Sequence, residues 1–209
     1  FAVVSTEGLH KKPSHLSFAE AAAYQVAYLT AYVALVRRAN LQAGETLLIH
    51  GASGGVGMAA VDIGKLLGAT VIATGGSDAK LQRVLAYGAD HIINTEHGFR
   101  EQVKALTGGL GADVIYDPVG GDIFDESTRC INFDGRLLII GFTSGRIASV
   151  PTNIPLIKGF SVMGVRAGEY GRQFPEKGAE NLQTIWDWVR AGKTKPHVCL
   201  LYTSDAADD

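Results

Sequence analysis

The chain has 209 residues, of which 46% are hydrophobic and 19% charged, with 26 glycines against 6 prolines. At about 100–200 residues per domain, this length predicts one main globular domain, and the composition excludes a disordered chain and a coiled coil. The net charge of -2 provides no basic field for nucleic acid or anionic lipid, so we expect small or neutral partners.

The first predicted element is a helix within residues 14–36. Its longest uncharged stretch, residues 21–36, is shorter than the about 20 apolar residues that a membrane-spanning helix needs. Tyr24, Tyr28 and Tyr32 recur every four residues on one face, a stripe that is more often packing than proton donation. We therefore predict a buried helix and no contact with a membrane.

From residue 45 onward, short β-branched runs alternate with helical segments, which is the pattern of parallel strands joined by crossover helices. Right-handed crossovers turn this order into an α/β fold with a doubly wound parallel sheet and flanking helices, in which ligands bind at the carboxyl ends of the strands. Strands are predicted at 46–50, 70–74, 91–94, 113–117, 136–141 and 160–165, and helices at 55–67, 79–87, 99–106, 123–131 and 181–191.

The strongest chemical signal is the segment His50-Gly-Ala-Ser-Gly-Gly-Val-Gly57, which follows the first strand and opens a helix. Ala52, Gly54 and Gly57 stand at the three positions of a dinucleotide-binding fingerprint, with alanine in place of the first glycine. Gly54 lets the backbone approach a pyrophosphate, Gly57 allows the helix to pack closely on the strand, and the helix N-terminus presents amides to the anion. The alternative is a tight turn that binds no ligand.

The end of the second strand bears on the choice of cofactor. An NAD site places an acidic residue there for the ribose 2′-hydroxyl, but this sequence has Gly75, Gly76 and Ser77. Without that carboxylate a 2′-phosphate meets no repulsion, while Ser77 can donate a hydrogen bond and Lys80 can supply charge, which favours NADPH. Alternatively, Ser77 or Asp78 only caps the next helix and Lys80 is a solvated surface residue, or a shifted register brings Asp78 to the ribose.

Other catalytic patterns are weak. No tyrosine has a lysine four residues later, which argues against a short-chain dehydrogenase, and the missing acid after the second strand argues against a methyltransferase. The histidines form no cluster with the spacing of a zinc site, and Cys130 and Cys199 are too few for a disulfide framework, so we predict no metal and a reducing, cytoplasmic setting. Asp117, at a strand end, either caps a helix or borders a ligand.

Several segments, each weak alone, are specific when taken together. They are Leu16-Ser-Phe-Ala-Glu-Ala-Ala-Ala23, Tyr28-Leu-Thr-Ala-Tyr32, the glycine-rich segment, Ala86-Tyr-Gly-Ala-Asp-His-Ile-Ile-Asn94, Asp117-Pro-Val-Gly-Gly121 and Gly141-Phe-Thr-Ser-Gly145. From residue 1 to about 198, the chain resembles the medium-chain dehydrogenase/reductase superfamily, in its zinc-independent, zeta-crystallin-like quinone oxidoreductase branch.

The resemblance implies an NADPH-binding Rossmann domain over residues 14–198, including an inter-domain helix, preceded by residues 1–13 as a small remnant of a GroES-like catalytic domain. By the same resemblance, Thr30 would approach the nicotinamide, Ser53, Gly54, Gly55, Val56 and Gly57 the pyrophosphate, Ser77 and Lys80 the 2′-phosphate, and Val119, Gly120, Phe142 and Ser144 the nicotinamide ribose.

Two positions distinguish this chain within the superfamily. The zinc-dependent alcohol dehydrogenases carry a zinc-ligand cysteine four residues before the threonine that corresponds to Thr30, where this chain has Val26, and valine cannot ligate zinc. Relatives continue after Val198 with a segment that returns to the catalytic domain. Residues 199–209 do not match it, so we interpret them as a non-native tail from sequencing or assembly.

The activity implied by the resemblance is NADPH-dependent reduction of a quinone or another electron-poor small-molecule acceptor, in which the cofactor carries the chemistry and no residue of this chain is assigned as catalytic. An enoyl-thioester reductase would share the same cofactor half. A non-catalytic NADPH-binding module is the competing hypothesis from another class. A third hypothesis is an oligomerisation scaffold, which draws on the segment Phe160–Val165. In relatives this edge strand pairs across a dimer, so we expect a homodimer.

Overall fold

The computed structural model describes residues 9–199 together with Val3 and Thr6. The helices are α1 (Phe18–Tyr32), α2 (Gly55–Leu66), α3 (Asp78–Tyr87), α4 (Arg100–Leu106), α5 (Gly121–Ser127), α6 (Asn153–Lys158), α7 (Ala167–Gln173) and α8 (Pro175–Arg190). The strands are β1 (Thr46–Ile49), β2 (Thr70–Gly75), β3 (His91–Asn94), β4 (Ala112–Asp117), β5 (Ile131–Ile139) and β6 (Ser161–Gly164). A π-helical turn, Val33–Arg38, follows α1, and a 3-10 turn, Thr95–His97, follows β3.

All six strands form one parallel sheet in the order β3-β2-β1-β4-β5-β6. β1 and β4 are neighbours in the sheet although β2 and β3 separate them in the sequence, so the chain reverses its direction of travel across the sheet after β3. Such a reversal leaves a crevice outside the carboxyl ends of the two central strands. The predicted doubly wound parallel sheet is confirmed.

Helices cover both faces of the sheet, and the side chains of each strand alternate between two apolar clusters. On β1, Leu47 and Ile49 pack with α1, α2 and α8, whereas Leu48 packs on the opposite face with α4 and α5. A central strand buried on both sides reads as a continuous apolar run, which is why β1 was recognisable in the sequence. The two clusters fix the carboxyl ends of the strands in place.

Helix α1 has one buried face and one exposed face. The Tyr24 hydroxyl donates to the Ile185 carbonyl of α8 at 2.6 Å, and the Tyr28 hydroxyl donates to Asp62 of α2 at 2.6 Å. The tyrosine stripe is therefore a packing face. The opposite face carries Val26, whose side chain is 75% exposed, so the prediction of a buried helix is correct for the tyrosine face only.

From β1 to β4 the predicted elements agree with the structure to within one residue, and the differences begin at β5. The predicted helix 123–131 ends early, and β5 begins at Ile131 rather than at residue 136. Asp134, within a turn-like sequence, has a φ of 60°, and its amide donates to the Gly159 carbonyl at 2.6 Å. The strand absorbs these residues as an irregularity instead of starting after them.

The sequence predicts neither α6 nor α7, and it predicts α8 from residue 181 rather than from Pro175. None of the residues of α6 is buried, so it lacks the apolar periodicity that would reveal it. Gly178 resembles a helix break in the sequence. In the structure a Cβ there would lie 2.9 Å from the Cα of Gly171, so the glycine allows α7 and α8 to approach closely.

Strand β6 pairs with β5 alone, which confirms the edge position expected for the Phe160–Val165 segment. None of the described helices is long and apolar enough to cross a membrane. Most of the segment interpreted as a GroES-like remnant, before residue 9, lies outside the described residues, as does all of the predicted tail after Cys199.

Candidate functional site

The segment between β1 and α2, residues 50–57, is called the glycine turn here. Gly51 has a φ of 55°, a conformation that favours glycine. The Ala52 amide donates to the Thr74 carbonyl at 3.0 Å, which ties the turn to the end of β2, and the Gly54 amide donates to the Gly51 carbonyl at 3.0 Å. These bonds fold the chain sharply from strand into helix.

Gly57 is where the helix and the turn come closest. A Cβ built on Gly57 would lie 2.5 Å from the Gly51 oxygen and 2.7 Å from the Ala52 Cα, distances that no side chain can accept. The turn can therefore lie flat against α2 only with glycine at this position. This is the packing role predicted for Gly57 from the fingerprint.

The first turn of α2 presents free donors to the crevice. Ser53, Gly54 and Gly55 are exposed, and a Cβ on Gly55 would meet nothing within 4 Å. Within the part of the chain that the structure describes, the amides of Gly55, Val56 and Gly57 have no hydrogen-bond acceptor, as expected for the start of a helix. Together with the helix dipole, these amides can bind an anion.

The buried side chain of His50 anchors the first residue of the glycine turn. The ring is fully buried, with Nδ1 2.8 Å from the Thr74 hydroxyl and Nε2 2.8 Å from the Ser127 hydroxyl. Because Ser127 already donates to the Ile123 carbonyl at 2.7 Å, Nε2 carries the proton and Thr74 donates to Nδ1. Burial lowers the pKa of His50 to about 3, so the ring is neutral and joins β1, β2 and α5.

The loop after β4 is shaped by Asp117. Its buried carboxylate accepts the amides of Val119 at 2.8 Å and Gly120 at 2.9 Å, while desolvation raises its pKa. A Cβ on Gly51 would lie 3.3 Å from the Val119 side chain, so this loop also touches the glycine turn. Asp117 therefore positions Val119 and Gly120 at the crevice through the backbone.

The loop after β5 is bonded to the loop after β4. The Ser144 amide donates to the Val119 carbonyl at 3.0 Å, and the Phe142 ring would lie 3.1 Å from a Cβ on Gly120. Phe142 is 46% exposed and Ser144 is exposed. The structure thus brings together the four residues predicted for the nicotinamide ribose, although the sequence separates them into two loops.

An open cleft of about 590 Å³ lies between α1 and these loops. Thr30, predicted near the nicotinamide, is one turn beyond Val26 on α1, and its hydroxyl donates back to the Val26 carbonyl at 2.8 Å. Its side chain is not part of the cleft wall. The wall consists of Ala22, Ala23, Val26, Ala27, Gly51, Gly54, Gly55, Val56, Pro118 and Thr143.

At the other end of the site, β2 leads into α3. Ser77 occupies the N-cap position of α3, but its side chain makes no capping hydrogen bond. The Asp78 carboxylate accepts a hydrogen bond from the Asn94 side chain at 2.7 Å, which orients it toward β3. The alternative in which the Ser77 side chain caps the helix is therefore wrong, and one oxygen of the Asp78 carboxylate is bonded to Asn94.

A cavity of about 340 Å³ adjoins this corner, next to the glycine turn. Lys80 and Arg83 both line it from α3, and Arg83 is a residue that the sequence reasoning missed, although its spacing of three from Lys80 places both on one helix face. The lining residues are Ser53, Met58, Lys80, Arg83, Val84, His197 and Cys199. We call Ser77, Lys80 and Arg83 the basic corner.

The far wall of this cavity comes from the segment after α8. The Asp62 carboxylate accepts the Lys195 amide at 2.9 Å and the Tyr28 hydroxyl at 2.6 Å, and Tyr87 donates to the Lys195 carbonyl. Burial raises the pKa of Asp62 and of both tyrosines. This network holds His197 over the cavity, a contact across more than a hundred residues that no local sequence pattern signals.

A parallel sheet in this order, with a glycine-rich turn at its reversal point, defines the dinucleotide-binding class of α/β folds. Residues 55–185 match the family described as zinc-binding dehydrogenase. The chain belongs to that family, in the zinc-independent, quinone oxidoreductase-like branch of the medium-chain dehydrogenase/reductase superfamily, as the sequence resemblance predicted.

Quinone oxidoreductase-like protein 2 from Bos taurus is 37% identical over 209 residues, which cover 99% of this chain and 60% of the relative. Escherichia coli quinone oxidoreductase complexed with NADPH is 33% identical with a TM-score of 0.80, covering 90% of this chain and 58% of that one. The CurK enoyl reductase is 30% identical with a TM-score of 0.83, covering 93% and 58%. The chain therefore spans less than two thirds of each of these proteins.

The description of the family raises the question of zinc. Among the residues that the structure describes, no group of three or more His, Cys, Asp or Glu side chains could hold a metal ion. The position expected for a cysteine ligand is the apolar and exposed Val26. The described residues therefore do not fit zinc.

Proposed function

We propose that this chain binds NADPH and forms the cofactor half of an oxidoreductase that transfers hydride to a quinone or another electron-poor small-molecule acceptor. The observation that carries the proposal is the pairing of two features along one crevice: a turn with free amides after β1, and a basic corner without an acidic ribose ligand after β2. The first suits a pyrophosphate and the second a 2′-phosphate.

The proposed placement follows the order of the loops along the sheet. Residues 53–57 hold the pyrophosphate, because the amides of Gly55, Val56 and Gly57 at the start of α2 lack acceptors among the described residues. Ser77 and Lys80 hold the 2′-phosphate, and the paired loops after β4 and β5 hold the nicotinamide ribose through Val119, Gly120, Phe142 and Ser144. Thr30 is proposed near the nicotinamide by its position on α1, not by a side-chain contact.

When bound, NADPH supplies the hydride. The residues of this chain bind and orient the dinucleotide, and the apolar face of α1 excludes water from one side of the open cleft. No residue of this chain is assigned as catalytic: the hydroxyls of Tyr24 and Tyr28 are bonded to α8 and α2, and the Tyr32 ring packs against Trp188. The acceptor therefore has to be recognised largely by parts of the protein that the described residues do not supply.

A second candidate is an enoyl-thioester reductase, which the likeness to the CurK enoyl reductase favours. Its cofactor half would be the same, and the difference would lie in the acceptor cleft. A non-catalytic NADPH-binding module is the third candidate. Assays of NADPH oxidation by the full-length parent, with a simple quinone and with an enoyl thioester, separate the three.

The predicted organisation belongs to the same proposal. Residues 14–198 form the NADPH-binding domain, and residues 1–13 belong to a GroES-like domain. The edge strand β6 offers unpaired backbone groups to a second copy, which supports a homodimer. The cytoplasmic setting rests on the low cysteine content.

The test is a fluorescence titration of the purified, folded chain with NADPH and with NADH. We expect both to bind, with NADPH the tighter, because the basic corner acts on the 2′-phosphate alone. Binding of neither cofactor would overturn the assignment of the glycine turn. Equal affinities would refute the 2′-phosphate subsite while leaving a dinucleotide site in place.

A further inference from the structure

Arg83 and Lys80 form an unusual pair on α3. They are three residues apart, so they lie on the same face of the helix, and both line the same cavity of about 340 Å³. Like charges at this spacing destabilise an isolated helix by a few tenths of a kcal/mol. Placing two cations in one cavity therefore lowers the stability of the helix unless an anion binds between them.

No protein carboxylate fills that role in the described structure. The cavity lining contains no acidic side chain, and neither Lys80 nor Arg83 takes part in an ion pair among the described residues. The nearest acid in the sequence, Asp78, is held by Asn94 at 2.7 Å. The two positive charges are thus left for a ligand.

The position of the cavity identifies the kind of anion. Its wall includes Ser53 of the glycine turn, so a group bound there is continuous with a dinucleotide whose pyrophosphate lies on the turn. The remaining anionic group of NADPH is a phosphomonoester, which carries close to two negative charges and three acceptor oxygens near neutral pH. A planar guanidinium can donate two parallel hydrogen bonds to such a group, while an ammonium acts as a point charge.

We propose that Arg83 is a second specificity-determining cation for the 2′-phosphate, which binds between Lys80 and Arg83; this inference rests on the proposed function. Lys80 supplies a point charge, and Arg83, one turn further along α3, supplies a planar guanidinium that can donate two hydrogen bonds. His197, two residues after the Lys195 amide that is bonded to Asp62, also lines this cavity.

The experiment measures dissociation constants for NADPH and NADH, and for adenosine 2′,5′-bisphosphate against 5′-AMP, with the wild-type chain, Arg83→Ala and Arg83→Lys. The paired ligands differ only in the phosphomonoester. We expect Arg83→Ala to weaken NADPH and the bisphosphate about tenfold or more with NADH and 5′-AMP unchanged, and Arg83→Lys to recover part of the loss. Arg129→Ala, which removes an exposed arginine outside the cavity, should change nothing.

The outcomes distinguish this inference from the proposed function on which it rests. If the wild-type chain prefers NADPH and the preference survives Arg83→Ala but not Lys80→Ala, Arg83 has no part in selection and the proposed function stands. If Arg83→Ala weakens both members of each pair equally, its role is structural and the inference is wrong. If the folded wild-type chain binds neither dinucleotide, the proposed function fails and the inference fails with it.

Discussion

The glycine turn follows β1 and the basic corner follows the neighbouring strand β2, yet the two regions are built in different ways. The shape of the turn depends on groups that are buried or have no side chain, above all His50 and Gly57. The basic corner depends on exposed side chains at the start of α3, where Lys80 and Arg83 could be replaced without disturbing the fold. We propose that the turn binds NADPH and NADH alike and that the corner selects between them.

This difference has a physical origin. Every residue except proline carries a backbone N–H, so a site made from these groups needs only the correct fold. A defect in that fold affects stability as well as binding. A site made from exposed charges contributes little to folding, since such charges are worth about 0–1 kcal/mol to stability. Substitutions in the turn should therefore change both the free energy of unfolding and the affinity for cofactor, whereas substitutions in the corner should change affinity alone.

The largest effect is expected for Gly57→Ala. Its Cβ would lie 2.5 Å from the Gly51 oxygen and 2.7 Å from the Ala52 Cα, so the turn must move away from α2. We expect a loss of about 1–3 kcal/mol in the free energy of unfolding, the usual range for overpacking, and loss of binding for NADPH and NADH alike. Chemical denaturation and fluorescence titration measure the two effects.

Gly55→Ala is the matched control for that variant. A Cβ at Gly55 would meet nothing within 4 Å, and the residue sits at the start of α2, where alanine is well tolerated. It should leave the free energy of unfolding unchanged or slightly higher. If Gly57→Ala behaved like Gly55→Ala in denaturation, the close packing would not be what determines glycine at residue 57.

The next effect is a pH dependence that arises from His50. Its pKa is about 3 in the folded chain because of burial, against an ordinary value near 6.5 in the unfolded chain, so the unfolded state binds the proton first as pH falls. His50 therefore contributes stability that is present above about pH 6.5 and is lost progressively toward pH 3. The slope for one proton is about 1.4 kcal/mol per pH unit.

The comparison is with His50→Gln, which keeps polar atoms for Thr74 and Ser127 but cannot take up a proton. Between pH 6.5 and 4, the free energy of unfolding of the wild type should fall more steeply than that of the variant, by close to that one-proton slope. His97→Gln, at an exposed position, serves as the control. Parallel curves for the wild type and His50→Gln would contradict a neutral, buried ring.

The sequence predicted the turn better than the corner, and the reason is the range of the interactions. The strand, the glycines and the helix around residues 46–66 carry local signals, namely an apolar run, a fingerprint and a helical period. At the corner, Lys80 followed from its place after the second strand as well as from the resemblance, whereas the only signal for Arg83 was its spacing from Lys80. His197 had none, because its place over the cavity depends on Asp62, Tyr28 and Tyr87.

The same distinction explains the errors in the fold. From β1 to β4 the alternation of strands and helices was visible residue by residue. The irregular start of β5 depends on a bond from Asp134 to Gly159 in the segment before β6, and the early start of α8 depends on the approach of Gly178 to Gly171. Contacts between separate elements set these boundaries, and local patterns do not carry that information.

The smallest effect, and the one confined to the basic corner, is expected for Lys80→Ala. Lys80 is exposed, so its removal should leave the free energy of unfolding within about 0.5 kcal/mol of the wild type. The affinity for NADPH should fall about tenfold, equivalent to about 1.4 kcal/mol, while that for NADH stays the same. The difference should shrink as salt is added, because the exposed charge is screened.

Lys177→Ala removes an exposed lysine from α8 and controls for the change in net charge. An equal loss for NADPH and NADH in Lys80→Ala would mean that Lys80 acts on the pyrophosphate, which would merge the two regions into a single phosphate site. A loss confined to NADPH would keep them distinct: the turn would then supply affinity for the dinucleotide, and the corner would supply the choice of its 2′-substituent.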